Sequence, residues 1–296
     1  MVVFKCGHLT ARKNRKTTPM IRNCAAIFLL CLAAVSQAAE IEIEMPSVVA
    51  DGAKLVELYA EDAFFEGPVW HPGTSKLYFT KHKGKTNQVL RLDASGKVTV
   101  WMDDSEGVGG MFQSPDGGLF ATQAYGHRLL HFQVGEDGPT NLKVLYNNNE
   151  LHQPNDLCRT SDGRIYFTDP DFSNKKSSAV YLYVDGKVTK VIDDRAVSNG
   201  IIASLDGKTL YVSDSHRKHW RTYPIHEDGT LGKGRVFFEP DTQNMADPDG
   251  MSIDELGNVY CTGRGGVWVV SSAGKSLGLI QTPVFISNVT LGGADG

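Results

Sequence analysis

Six positions in the 296-residue chain recur at regular intervals and carry oxygen-rich side chains at five of the six places. Glu66, Gly109, Asn155, Asn199 and Asp249, followed by Asn288, are spaced by 43, 46, 44, 50 and 39 residues. If repeated structural units bring them to one axis, two carboxylates and two or three amides meet there with no thiol or imidazole. A hard-oxygen set of this kind suits Ca²⁺, or Mg²⁺ and Mn²⁺, better than zinc or copper. Two carboxylates also neutralise a divalent ion and relieve their own mutual repulsion. Taken singly, each residue reads as turn chemistry, because Asn, Asp and Gly occupy turns for backbone reasons. The shared spacing is what favours a common site.

Convergence requires elements that repeat, and the sequence supplies them. Five segments share one plan of a polar or glycine corner, a short apolar strand, a turn and a second apolar strand. They begin at Gly67, Gly110, Asp156, Gly200 and Gly250, and their turn glycines Gly73, Gly117, Gly163, Gly207 and Gly257 lie 44, 46, 44 and 50 residues apart. Third and fourth apolar runs follow, such as Gln88-VLRLD and Lys97-VTVWM. Period-2 alternation, β-branched and aromatic residues and Asp-Gly turns predict antiparallel meanders. Four strands at a period in the forties are the signature of a β-propeller blade, whereas a β-sandwich would show no fixed long period. The expectation is therefore an all-β, six-bladed propeller over 53–296. Five copies are complete, and Ser287-NVTLGGADG begins a sixth in which the chain runs out, so the last blade is expected to be incomplete at the C-terminus. The segment Ala53-KLVELYA is expected to supply that blade's outer strand.

Charge separates this body from what precedes it. The first 38 residues hold six of the 30 basic residues and no acid, so the remaining 24 bases face 34 acids, a net of −10. A body this acidic is a poor partner for nucleic acid or an anionic membrane surface. The basic stretch runs into the apolar segment 24–35 and then Ser36-Gln-Ala38, which predicts a cleaved signal peptide over 1–38 (with Met20 as an alternative start), a short leader over 39–52, and export to the periplasm or beyond the cell. A retained N-terminal anchor is the alternative. No other apolar stretch is long enough to span a bilayer. Cleavage would leave Cys158 and Cys261, too few and too far apart for a disulfide framework or a zinc site, so buried free thiols are expected.

Four motifs, in order and in phase, resemble one family. Glu66-Gly-Pro-Val-Trp70, Pro154-Asn-Asp156, Ser198-Asn-Gly-Ile201 and Pro248-Asp-Gly-Met-Ser-Ile-Asp254 are similar to those of the gluconolactonase/regucalcin (senescence marker protein) family, over about residues 54–296. Phe167-Thr-Asp-Pro170 resembles its bacterial gluconolactonase branch. The resemblance implies a six-bladed propeller with one divalent ion in the channel, Ca²⁺ first and Mg²⁺, Mn²⁺ or Zn²⁺ as alternatives. It makes Glu66, Asn199 and Asp249 the ligands, places Asn155 on the metal or substrate side, and gives Asp249 the further role of general base. The implied reaction is hydrolysis of a small-molecule lactone or ester, with the carbonyl polarised by a Lewis acid and water activated by a carboxylate. A carboxylate shared with a cation is a mediocre base, and Asp156 could share that role.

Departures from the pattern bear on the substrate. Animal members carry an Arg two residues before the Asn of the ND motif, where this chain has Gln153, so His152 and Gln153 are expected to replace it. His127 and Arg128 are expected at the channel rim, with an ordinary solvated loop as the plainer reading. The run His216–His219 reads the same two ways. Trp70, Trp101 and Trp268 are expected to pack between blades. Two other functions fit a propeller of this kind: a calcium-dependent esterase or organophosphate hydrolase, and a binding platform without catalysis.

Overall fold

A computed structural model of the chain describes residues 48–50, 53–173, 178–194, 197–240 and 247–293, with the backbone alone of 2–5 and 26–31. Each of the five full repeats folds into one four-stranded antiparallel sheet whose strands follow in chain order from the inside outward. The innermost strands are Phe64–His71, Val108–Gln113, Leu157–Arg159, Ser198–Ala203 and Met251–Ile253. Turns at the phased glycines, three of them Asp-Gly, make the hairpins. In four of them the glycine amide donates to the carbonyl three residues back, as in Gly163 to Thr160 at 3.0 Å, and Gly117, Gly163, Gly207 and Gly257 all take positive φ.

The structure corrects the expected blade count: the propeller has five blades, not six. The chain supplies a single strand of a sixth repeat, Ile286–Gly292, and this strand does not head a blade of the repeat type. It pairs with Ala26–Cys31, which pairs with Val2–Lys5, which pairs in turn with Lys54–Glu57 at the outer edge. Two of these strands come from the segment that the sequence pattern assigns to a signal peptide, and the rest of that segment lies outside the described residues. Among the described residues no helix is long and apolar enough to cross a membrane.

Neighbouring blades adhere through aromatic layers. Trp101, on the outer strand of the first blade, meets Tyr78 edge-on at 4.9 Å and Phe132 of the second blade at 5.8 Å, and its indole Nε1 donates to the Gly135 carbonyl at 2.9 Å. Trp268 meets Trp220 of the preceding blade at 5.7 Å. Such pairs add about 0.5–1.5 kcal/mol each beyond the area they bury. Cys158 and Cys261 are free and buried.

Around the axis the blades are latched by hydroxyl groups. The second strand of every blade carries Thr80, Thr122, Thr168, Ser213 or Thr262, all fully buried. Thr168 Oγ1 accepts from the Asp156 amide of its own blade at 3.1 Å and donates to the Asn199 carbonyl of the next at 2.6 Å. Thr122 joins the Gly110 amide to the Asn155 carbonyl in the same way, and Thr262 donates to the Ser287 carbonyl at 2.9 Å. The ring closes where Ser287 Oγ donates to the Phe65 carbonyl at 2.6 Å, across 222 residues of sequence. Bulges at Glu66/Val69, Val108/Met111 and Ser198/Ile201 interrupt the inner hairpins and re-aim the backbone at these latch positions.

Replacing Thr168 by the isosteric valine leaves two buried backbone groups short of a partner, a cost of about 1–3 kcal/mol. Denaturant unfolding is expected to show that loss for Thr168→Val and to show most of the stability retained in Thr168→Ser. A valine variant as stable as the parent contradicts the latch.

Candidate active site

Latches and bulges together bring the starts of the inner strands to one place. Glu66, Asp156, Asn199, Asp249 and Asn288 are all buried there. Glu66 Oε2 accepts the Gly67 amide at 2.7 Å and Asn288 Nδ2 at 2.8 Å, while Asn288 Nδ2 also approaches Asp156 Oδ2 at 3.5 Å. Asn155 donates its amide to Asn199 Oδ1. Asn199 Nδ2 in turn donates to Ser215 Oγ at 3.2 Å, whose hydroxyl donates to the Pro248 carbonyl at 2.6 Å, tying Asn199 to the loop that carries Asp249. Three side chains fold back onto the next amide of their own strand: Glu66 onto Gly67, Asp156 onto Leu157 at 2.9 Å, and Asn288 onto Val289 at 2.8 Å. Glycine is required between them. A Cβ on Gly110 would collide with Asp156 Oδ1, and one on Gly250 with the Asn288 amide.

Electrostatics mark this group as unbalanced. Burial first, then the Asp156 carboxylate, pushes Glu66 up from 4.5 to about 8. Burial also pushes Asp156 up to about 7, against the pull of the Leu157 amide and the Asn288 side chain. Asp249 is driven well above its ordinary value by burial and then by Glu66, Asp156 and Asp247. Every charged group acting on Asp249 is thus another acid. Among the described residues no three acidic, imidazole or thiol groups form a metal cluster by themselves. Amide oxygens are the natural complement to these carboxylates in a cation site, and Asn155 and Asn199 are the amides at hand. An all-oxygen set with surplus negative charge fits a hard divalent cation.

The remaining expected residues take other roles. Gly109 lies beneath Asn155, whose backbone carbonyl a Cβ there would meet. His152 and Gln153 are held through their backbone amides, which donate to the two oxygens of Asp169 at 3.0 and 2.8 Å. Asp169 is itself raised by burial, and both His152 and His127 act on it electrostatically. His127 has φ 53° and accepts the Asn148 amide at its carbonyl at 3.2 Å. His152 lines a second cavity of about 240 Å³ with Glu150, Tyr181 and Lys190, and the loop that carries it and Gln153 is fastened to Asp169. Asp169 was legible as part of the Phe167–Pro170 motif, but nothing in that motif gave it this anchoring role. Three arginines are matched by acids: Arg128 with Glu106 at 3.6 Å, Arg264 with Asp247 at 3.4 Å, and Arg217 with Asp214 at 2.9 Å.

Below the cluster, the inner strands enclose a cavity of about 300 Å³, lined by Val69, Met111, Leu157 and Ile202 with Asp156 and Asn288 on its wall.

Comparison with known proteins finds lactonases among the chain's relatives. The chain is 26% identical over 268 residues to a gluconolactonase of Zymomonas mobilis, covering 79% of this chain and 74% of the relative. It is 24% identical over 235 residues to a pentonolactonase of Haloferax volcanii, covering 78% of each. The solved structure of a gluconolactonase from Xanthomonas campestris superposes with a TM-score of 0.73 at 24% identity, over 90% of this chain and 97% of that one. Residues 64–296 match the family model described as the SMP-30/gluconolactonase/LRE-like region. On a match that takes in all five blades and every residue of the carboxylate cluster, the chain belongs to the SMP-30/gluconolactonase/LRE-like family.

Proposed function

We propose that this chain hydrolyses a sugar lactone with the help of one divalent cation, Ca²⁺ first among the candidates, held by Glu66, Asn199 and Asp249. The observation that carries the reading is the buried group of three carboxylates whose mutual repulsion no cationic side chain relieves. When bound, the cation supplies Lewis-acid polarisation of an ester carbonyl.

The chain's own residues supply the rest. Glu66 and Asp249 fix the charge of the centre, and the Asn155–Asn199 amide pair orients its polar edge. Asp249 and Asp156, in their ionised forms, are the groups able to take a proton from attacking water, since burial raises the proton affinity of both and neighbouring acids raise that of Asp249 further. Asp249 remains the first choice for general base, with Asp156 beside it. His152, Gln153 and His127, gathered by Asp169, are the groups available to hydroxyls of a sugar ring. Export belongs to the same reading, on the strength of the basic and apolar leader; the mass of the purified protein tests it through loss of residues 1–38, which would take Val2–Lys5 and Ala26–Cys31 out of the closing sheet and leave Ile286–Gly292 without its present neighbour.

Three outcomes test the proposal. In a pH-stat assay with glucono-lactone, chelation is expected to abolish hydrolysis and calcium to restore it, and Glu66→Ala and Asp249→Ala to lower kcat/KM at least a hundredfold. Activity indifferent to chelator, or unchanged in both variants, contradicts the reading.

Stability should carry the same signature. Glu66 at about 8 and Asp156 at about 7 hold protons in the folded chain that the unfolded chain, with ordinary values of 4.5 and 3.8, has already released. Their contribution is full below about pH 4 and is lost as pH rises through 7 to 8. Thermal scans of metal-free protein should therefore show the midpoint falling between pH 5 and 8, and calcium should flatten that fall. A midpoint independent of pH and of calcium contradicts the assignment of the buried charge.

A further inference from the structure

We infer that Asn288 is a positioning residue of this centre: its side-chain amide ties Glu66 to Asp156 and holds the Glu66 carboxylate in one orientation. The inference rests on the cation-site reading above and adds to it a residue from the closing sheet, outside the five blades.

The orientation of the Asn288 amide follows from its neighbours. The Val289 backbone N–H can only donate, and it lies 2.8 Å from Oδ1, which fixes the oxygen on that side and turns Nδ2 toward the two carboxylates. Nδ2 carries two hydrogens, and two acceptors stand in front of it, Glu66 Oε2 at 2.8 Å and Asp156 Oδ2 at 3.5 Å. Both hydrogen bonds that the Glu66 carboxylate accepts among the described residues, from Gly67 and from Asn288, converge on Oε2. One oxygen is thereby anchored by two donors, and the carboxylate cannot rotate without breaking both.

The surrounding backbone is built to seat this side chain. Ser287, the preceding residue, is bolted to the Phe65 carbonyl at 2.6 Å, one residue before Glu66. On the other side, the space Asn288 occupies exists because residue 250 lacks a Cβ. An alanine there would drive into the Asn288 amide, although the backbone of Gly250 lies outside the left-handed region and would itself accept a side chain. The glycine after Asp249 therefore serves Asn288, and through it Glu66.

The test measures binding of calcium alone to the metal-free protein by titration calorimetry. Asn288→Leu keeps the volume and removes the donor, and it is expected to weaken calcium binding about tenfold or more, the range found when partners of metal ligands are removed. Gly250→Ala is expected to do the same with Asn288 and Glu66 both present, by displacing the amide. In an Asn288→Ala background the Gly250→Ala change should then cost less than about twofold, because the group it collides with is gone. The Gly250→Ala arm stands on its own if the leucine variant does not fold. Wild-type affinity in folded Asn288→Leu, or an undiminished Gly250→Ala effect in the Asn288→Ala background, overturns the role of Asn288 while leaving the cation site intact. Failure of the parent protein to bind calcium removes the cation site and this inference together.

Discussion

Close approach of the inner strands is the constraint on which the rest of this molecule depends. Adjacent strands meet at their first residues, where Gly67 abuts the Gly109 carbonyl, Gly109 the Asn155 carbonyl and Gly200 the Asp249 carbonyl, each so near that a Cβ would collide. Backbone groups driven together at that distance lose their hairpin partners to the bulges and must find others. The buried hydroxyls of Thr122, Thr168 and Thr262 meet that need, each donating to the carbonyl of the following strand. Two of the carbonyls so held belong to Asn155 and Asn199. The latch that closes the ring thus also sets the polar side chains around its axis, and stability and site geometry share one set of bonds.

The same closeness explains the charge. Side chains that start from strands packed this tightly have little access to water, so burial raises Glu66, Asp156 and Asp249 together, Asp156 pushes Glu66 further toward protonation, and both push Asp249. A protein keeps three such groups without a cationic side chain only if something else answers them. Amide dipoles from Asn288 and from the strand backbones do part of this, and a hard cation would complete it. Membership of the SMP-30/gluconolactonase/LRE-like family makes lactone hydrolysis the chemistry in question, and in the proposed reading a cation held in this dry and rigid socket would polarise the lactone carbonyl.

Much of this was readable from the sequence because repetition amplifies weak signals. A single Asp-Gly turn or a single Asn says little, but five turns in phase give the blades, and Glu66, Asn199 and Asp249 in the same phase give the cluster. Asn288 was visible by phase alone, while its bond to Glu66 depends on two strands 222 residues apart and has no local signature. The hydroxyls that end Tyr78-Phe-Thr80 and Tyr166-Phe-Thr168 recur just as faithfully, yet a threonine in a strand ordinarily needs no explanation, so their latch role was hidden. The blade count failed for a different reason. Phase counts copies of a repeat, and the sheet that closes this ring around Ile286–Gly292 is not a copy. The fastening of His152 and Gln153 to Asp169 had no sequence signal either, because it rests on two backbone hydrogen bonds that residue types do not announce.

Anomalous diffraction from crystals soaked in a lanthanide or in calcium tests the central claim most directly. The account predicts one strong peak on the axis, at roughly 2.3–2.6 Å from carboxylate oxygens of Glu66 and Asp249, the range of calcium–oxygen bonds, with Asn199 in the same shell. A peak elsewhere on the molecule, or none at the axis in crystals of a protein that still hydrolyses lactone, would contradict it.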